Sequence, residues 1–207
     1  MSGRPTTLGA GRRSASPEPE SPQPRQRRYD PERRSRIVDA ALDVIAQVGV
    51  AGASHRRIAA EADIPLGSMT YHFAGMDELL REAFDRFART VSDQFERRMQ
   101  EATSAEDAER AVVTLITAEV LATRRDLVLS HELYTLAARD PAYRTITNAW
   151  MSRSRAALER HFDPTTARVL DALIEGLTIH RALDTEPQDP ELVIDAVHRV
   201  TSGREGR

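Results

Sequence analysis

Apolar residues recur at helical spacing along most of the chain. From about residue 31 to 48, Ile37, Ala41, Leu42, Ile45 and Val48 fall three or four positions apart, and Gly49 supplies a stop. A long helix is predicted over 76–101, with Leu79, Leu80, Ala83, Phe84, Phe87, Val91 and Phe95 on one side. Residues 105–123 include Val112-Val113-Thr114-Leu115-Ile116, apolar almost all round, which predicts a helix buried at a centre. Shorter patterns at 164–183 and 190–201 are strongly apolar on one side. Asp-Pro at 30–31, 140–141, 163–164 and 189–190 marks helix starts, because Asp caps free N–H groups and proline has none to leave unpaired. The capping box at Ser104-Ala105-Glu106-Asp107 and Ser54 before His55 mark two more. Strand alternation and hairpin dipeptides are missing, so the prediction is an all-α protein of about nine helices.

Residues 1–28 break this pattern. They are rich in Pro, Ser, Gly and Arg, and too poor in large apolar side chains to offset the entropy of folding, so a disordered basic tail is expected. Net charge is -3 over 207 residues, but it is uneven: residues 1–73 hold 11 arginines against 8 acids, the remainder 18 against 24. Residues 29–73 alone are slightly acidic. Phosphate binding would therefore rest on placed arginines, helix N-termini and the tail. Cysteine and lysine are absent, which excludes disulfides, zinc-thiolate sites, Schiff-base chemistry and a P-loop lysine. No apolar run approaches a membrane span and none follows the basic N-terminus, so the expectation is a soluble cytoplasmic protein with no membrane partner.

Within residues 54–73, SHRRIAAEADIPLGSMTYHF, Ser54 is expected to cap a helix facing inward through Ile58, Ala59 and Ala62. After a turn at Asp63-Ile64, Pro65 starts a second helix that carries Met69 and Phe73 inward. Periodicity alone leaves two possibilities open: a helix-turn-helix that reads DNA, or a plain α-hairpin in a core. The run Ile58-Ala59-Ala60-Glu61-Ala62, Gly67-Ser68-Met69, Tyr71-His72-Phe73 and Asp77-Glu78-Leu79-Leu80 resembles the N-terminal signature of tetracycline-repressor (TetR) family regulators, over residues 33–80. The chain departs from that pattern at Asp63, where glycine is usual, at Pro65, at Thr70 in place of tyrosine, and at Met76 in place of a phosphate-binding lysine. Asp tolerates a left-handed turn, and the N-terminus of the helix near Gly75 could replace the lysine as a phosphate site.

The resemblance implies a three-helix helix-turn-helix DNA-binding domain at 29–75 and a helical ligand-binding and dimerisation domain at 76–203. Ser54, Arg56, Tyr71 and His72 would hold phosphates; Leu66, Gly67, Ser68 and Thr70 would face base edges, and Arg57 could do either. Arg25, Arg27 and Arg28 could form a minor-groove arm. Phe84, Phe87, Leu115, Glu119, His131, Tyr134, Trp150 and Met151 lie on helices that resemble the family's pocket walls, although core packing would explain most of them too. Glu119 stands out, since a carboxylate in an apolar helix needs a partner or a ligand. Leu173, Gly176, Leu177, His180, Val193 and Val197 would form a dimer interface between the last two helices of two copies. Gly176 lies mid-helix, where close helix approach is a plausible reason for glycine.

The implied function is a homodimeric, ligand-responsive transcription regulator, a repressor by family habit, that binds a palindromic operator and is released by a small-molecule effector. The alternative is an all-α small-molecule-binding protein or enzyme with a vestigial DNA module. Catalytic motifs are absent, His131-Glu132 lacks the second histidine of a metal helix, and neither metal nor cofactor is expected.

Overall fold

Capped starts and proline-led first turns set out most of the chain. The computed structural model describes residues 32–202, and among these are nine α-helices and no strand: α1 (Arg33–Gly52), α2 (His55–Glu61), α3 (Met69–His72), α4 (Met76–Glu101), α5 (Ala105–Thr114), α6 (Arg124–Arg139), α7 (Pro141–Leu158), α8 (Pro164–Leu183) and α9 (Pro190–Ser202). A 3₁₀ turn, Leu66–Ser68, leads into α3, and a π turn, Leu115–Glu119, continues α5. The Asp30-Pro31 start, the tail at 1–28 and its Arg25, Arg27 and Arg28 lie outside the described residues.

The expected caps form. Asp140 accepts the Ala142 N–H at 2.8 Å, Asp163 the Thr165 N–H at 3.0 Å and Asp189 the Glu191 N–H at 3.0 Å. Ser104 accepts the Asp107 N–H at 3.1 Å while the Asp107 carboxylate takes the Thr103 N–H at 3.2 Å. The helix predicted over 105–123 is shorter than its apolar run. Five β-branched residues, Val112, Val113, Thr114, Ile116 and Thr117, crowd one another there. The ladder widens into the π turn, Val120 becomes extended, and Leu121 takes a left-handed φ of 50°. A Thr123 cap then restarts the chain as α6.

Two apolar clusters hold the helices together. Ile37, Ile45, Ile58, Met69, Leu79, Phe84, Leu129 and Leu133 join α1–α4 to α6, with Tyr143 of α7 at the margin. Met99, Val112, Ile116, Leu158, Leu170, Val193 and Val197 join the second half of α4 to α5, α7, α8 and α9. Helices α4 and α7 belong to both, so two close-packed rods connect the clusters.

Gly49 ends the regular part of α1 with φ 70°, and a Cβ there would lie 2.5 Å from Glu132 Oε1 on α6. The left-handed backbone favours glycine at this point, whereas the Glu132 carboxylate is the end of a flexible side chain that can swing aside.

Candidate nucleic-acid interface and effector pocket

The second half of the helix-turn-helix has two sharply different faces. Met69 and Phe73 are 1% and 3% exposed, locked into the first cluster, while Leu66 and Tyr71 are 53% and 79% exposed on the opposite side. Burying the two inward side chains contributes roughly 1.5–3 kcal/mol each, which fixes the rotation of α3. Asp63 makes the turn with φ 50°, as expected for an Asp in place of glycine. Gly67 has nothing within 4 Å of a Cβ position. Thr70 donates its hydroxyl to the Gly67 carbonyl at 3.2 Å, leaving a methyl group and oxygen lone pairs facing outward. Ser54 caps α2 by accepting the Arg57 N–H at 3.3 Å, and Arg57 Nη1 donates to the Gly52 carbonyl at 2.7 Å. Arg56 is exposed. His72 is half-buried and meets Tyr71 edge-on at 5.0 Å between ring centroids.

A residue not singled out in the sequence secures this head. Arg34 of α1 donates to the His72 carbonyl, pairs with Glu78 at 2.9 Å and Glu82 at 3.0 Å, and lies over the Phe73 ring. One guanidinium thus ties α1, α3 and α4 together. The N-terminus of α4 is less open to phosphate than its position suggests: Glu78 accepts the Ala74 N–H at 2.7 Å, and Asp77 shares the first turn. An incoming phosphate would meet carboxylates there.

In the second half of the molecule, a small cavity of about 60 Å³ lies among α4, α6, α7 and α8. Of the eight residues expected to line a pocket, His131, Tyr134, Trp150 and Met151 do so. Tyr134 and Trp150 stack nearly parallel, 5° between planes and 6.0 Å between centroids. Phe87 meets Trp150 edge-on at 5.9 Å and lines an adjoining cavity with Leu115 and Glu119. Phe84 departs from the expectation: it is fully buried in the first cluster, edge-on to Tyr143. Glu119 has found its partner within the chain, Arg98, with Arg98 Nε 3.1 Å from the carboxylate.

The cavity's charge comes from residues the sequence reading passed over. Asp171 and Glu175 of α8 line it beside Ser154 and Thr178. Burial pushes the Asp171 carboxyl up, against the pull of Arg155, whose Nη1 lies 3.2 Å away. Burial, then the charge of Glu175, holds the Tyr134 phenol above its usual range, so it stays a protonated donor. His131 Nδ1 lies 2.8 Å from the Leu127 carbonyl, which can only accept, so that nitrogen carries the proton. The signal for Asp171 and Glu175 was available: like Glu119, both interrupt an apolar helix, next to the inward row Leu170, Ile174 and Thr178.

Comparison with known proteins agrees with this layout. Residues 37–83 match the bacterial regulatory proteins of the tetR family, and residues 107–203 match the tetracyclin repressor-like C-terminal domain. The SCO7518 protein of Streptomyces coelicolor A3(2) is 55% identical, with a TM-score of 0.78 over 83% of this chain and 99% of that one. The chain belongs to the TetR family. A second similar structure, the multidrug binding protein EbrR complexed with ethidium, is 36% identical with a TM-score of 0.69, over 82% of this chain and 99% of that one. The HTH-type transcriptional regulator PksA of Bacillus subtilis is 27% identical over 73% of this chain and 80% of its own length. This TetR-family chain is a DNA-binding transcription regulator, and its exposed α3 is the second helix of the helix-turn-helix.

The last two helices carry the expected TetR pairing residues differently from one another. Val193 and Val197 are 0% and 1% exposed, packed into the second cluster of their own chain. The inward face of α9 claims them, and they leave no surface for a second copy. Leu173, Gly176 and Leu177 are half-buried and His180 is exposed. Val169 and Leu183 extend that stripe along α8 at 46% and 60% exposure. A Cβ at Gly176 would have nothing within 4 Å, so no helix of the same chain accounts for the glycine. Among the described residues no helix is long and apolar enough to cross a membrane, and no cluster of metal-binding side chains occurs.

Proposed function

We propose that this regulator is a homodimeric repressor whose paired reading heads, residues 29–75, bind a palindromic operator, and whose remaining helices, 76–203, pair the copies and take up an effector that releases the DNA. The exposed Leu66-to-Tyr71 edge carries the reading: small and polar groups on a rigidly held turn suit a major groove about 12 Å wide. Ser54, Arg56, Tyr71 and His72 then serve phosphates, Leu66, Gly67, Ser68 and Thr70 serve base edges, and Arg57 buttresses the end of α1. Pairing along the α8 stripe, with the space at Gly176 taken by a neighbour's side chain, sets the two heads one helical turn of DNA apart or a multiple of it.

The effector class follows from the pocket. EbrR is complexed with ethidium, proflavin and malachite green in three of the similar structures, all of them aromatic cations. Here the Tyr134 and Trp150 faces supply an aromatic wall, and Glu175 lies beside it with no ion pair of its own among the described residues. An aromatic cation held there favours whichever helix arrangement binds it better, and DNA is released if that arrangement misplaces the heads. The test is fluorescence anisotropy of labelled upstream DNA during titration with malachite green, whose twisted rings do not intercalate. Release of bound DNA is expected with the wild-type protein and weaker release with Glu175→Gln; no release at any dye concentration refutes the effector assignment.

A further inference from the structure

The pocket that contains Trp150 is far too small for the ligand class just proposed. Its volume is about 60 Å³, whereas sites for drug-sized ligands run to about 300 Å³ and above. Beside it lies a second cavity of about 590 Å³, lined by α1, α4, α6 and the π turn. The two share four wall residues: Val91, Phe95, Val120 and Leu121. The outer cavity has exposed residues at its margin, Thr90, Gln94 and Arg125.

Half of the shared wall, Val120-Leu121, lies in the irregular link between the π turn and α6. The π turn ends at Glu119, Val120 is extended, and Leu121 takes a left-handed φ of 50° that a branched side chain rarely adopts. The Val120 side chain packs against the second cluster, the Val120 N–H returns to the Leu115 carbonyl at 2.9 Å, and Arg181 of α8 donates to the Val120 carbonyl. On the far side of the outer cavity stand Asp39 and Leu42 of α1, the helix that supports the reading head. Arg86 grips this helix through Asp39 at 2.9 Å and the Ser35 hydroxyl at 2.8 Å, and Arg125 grips it through Asp43 at 3.0 Å.

The geometry points to a bipartite effector site: an aromatic cation enters through the outer cavity, displaces the Val120–Leu121 partition, and lodges with its charge toward Glu175 and its remaining bulk against Asp39 and Leu42 of α1. This rests on the effector class proposed above and adds where the ligand sits and how it reaches the reading head. The occupant's bulk acts on α1 by crowding Arg86 and Arg125, which line the outer cavity and pair with Asp39 and Asp43 of that helix. A strained partition favours this, since opening relieves a backbone conformation that only the closed state requires.

Trp150 is the only tryptophan in the chain and lines the inner compartment, so its fluorescence reads both entry and occupancy in the full-length protein. Two variants probe the route. Leu121→Gly removes the partition's side chain at a φ that glycine accepts. Thr90→Phe/Gln94→Phe, one turn apart on α4, fills the outer cavity without touching the inner wall. Acrylamide, a small neutral quencher, should quench Trp150 several-fold more strongly in Leu121→Gly and more weakly in the double Phe variant than in wild type. Malachite green should bind the double Phe variant at least about tenfold more weakly, with circular dichroism and thermal melting used to choose a folded preparation or, failing that, Gln94→Phe alone.

Unchanged dye affinity and unchanged quenching in the folded filled variant overturn the bipartite site. If Glu175→Gln weakens the dye in that case, the effector class still stands. Failure of the dye to bind wild type removes the effector class instead, and the quenching of Leu121→Gly and the filled variant then decides the entry route alone: equal constants in all three proteins overturn it.

Discussion

The guanidinium of Arg34 lies 4.2 Å from the centre of the Phe73 ring, and through that contact α1 braces α3, the helix proposed to enter DNA. The same cation binds the His72 carbonyl, Glu78 and Glu82. Because Arg34 is 39% exposed, its pairings are screened and stabilise the fold modestly, about 1 kcal/mol. Arg34→Met should lower the melting temperature by only about 2–4 °C yet reduce operator affinity by about tenfold or more, since a small misplacement of α3 misaligns several contacts. Parallel melting and binding isotherms check this; equal affinity with a lowered melting temperature would reduce Arg34 to a stabilising residue.

Gly67 separates folding from reading. A Cβ there meets nothing within 4 Å, so Gly67→Leu should melt like wild type. On DNA the added side chain would collide with the groove floor, and affinity should fall by at least about tenfold, more than 1.4 kcal/mol. Wild-type affinity in Gly67→Leu would move the reading surface elsewhere.

Much of this was legible in advance, and the parts that were not share a cause. Helix starts follow from Asp-Pro and Ser caps because a cap is a local event, satisfied by N–H groups two or three residues away. The inward set on α3 followed from spacing for the same reason. The early end of α5 did not, because an apolar run says a segment is buried but not which backbone ladder it keeps. Arg34 was invisible because its partners lie 38 to 48 residues away. Val193 and Val197 were assigned to the pairing surface on resemblance, although they sit on the α9 face that packs against its own chain, while Leu192 and Ile194 are the large apolar residues that α9 leaves exposed. Glu119 and Glu175 carried the same signal, an acid in an apolar helix, and only three-dimensional proximity to Arg98 told them apart.

Stability on the acid side should depend on Glu78. The Ala74 N–H, then Arg34, holds its carboxyl below the ordinary value of 4.5. A lowered folded value means the unfolded chain takes up the proton first, so the contribution is present above that ordinary value and is lost as pH falls through the lower folded one. Melting temperatures measured from pH 7 down to pH 3 should therefore decline less steeply for Glu78→Gln than for wild type. Parallel curves would show that Glu78 holds no special interaction in the folded state.

Gly176 tests pairing without burdening the protomer. Leucine is the better helix former by somewhat less than about 1 kcal/mol, and a Cβ at this position meets nothing within 4 Å, so Gly176→Leu should fold at least as stably as wild type. Its side chain would stand in the space assigned to the second copy. Sedimentation velocity should show a dimer for wild type and a shift toward monomer for the variant; an unshifted dimer would place the interface off this stripe.

The central claim is that two copies of the Leu66-to-Tyr71 edge enter DNA together, and footprinting of the gene's own upstream region addresses it most directly. The expected result is saturable protection of two inverted half-sites one helical turn apart or a multiple of it, weakening steeply as salt rises. Protection of a single unsymmetrical half-site, or binding with no preferred position at any salt concentration, would contradict it.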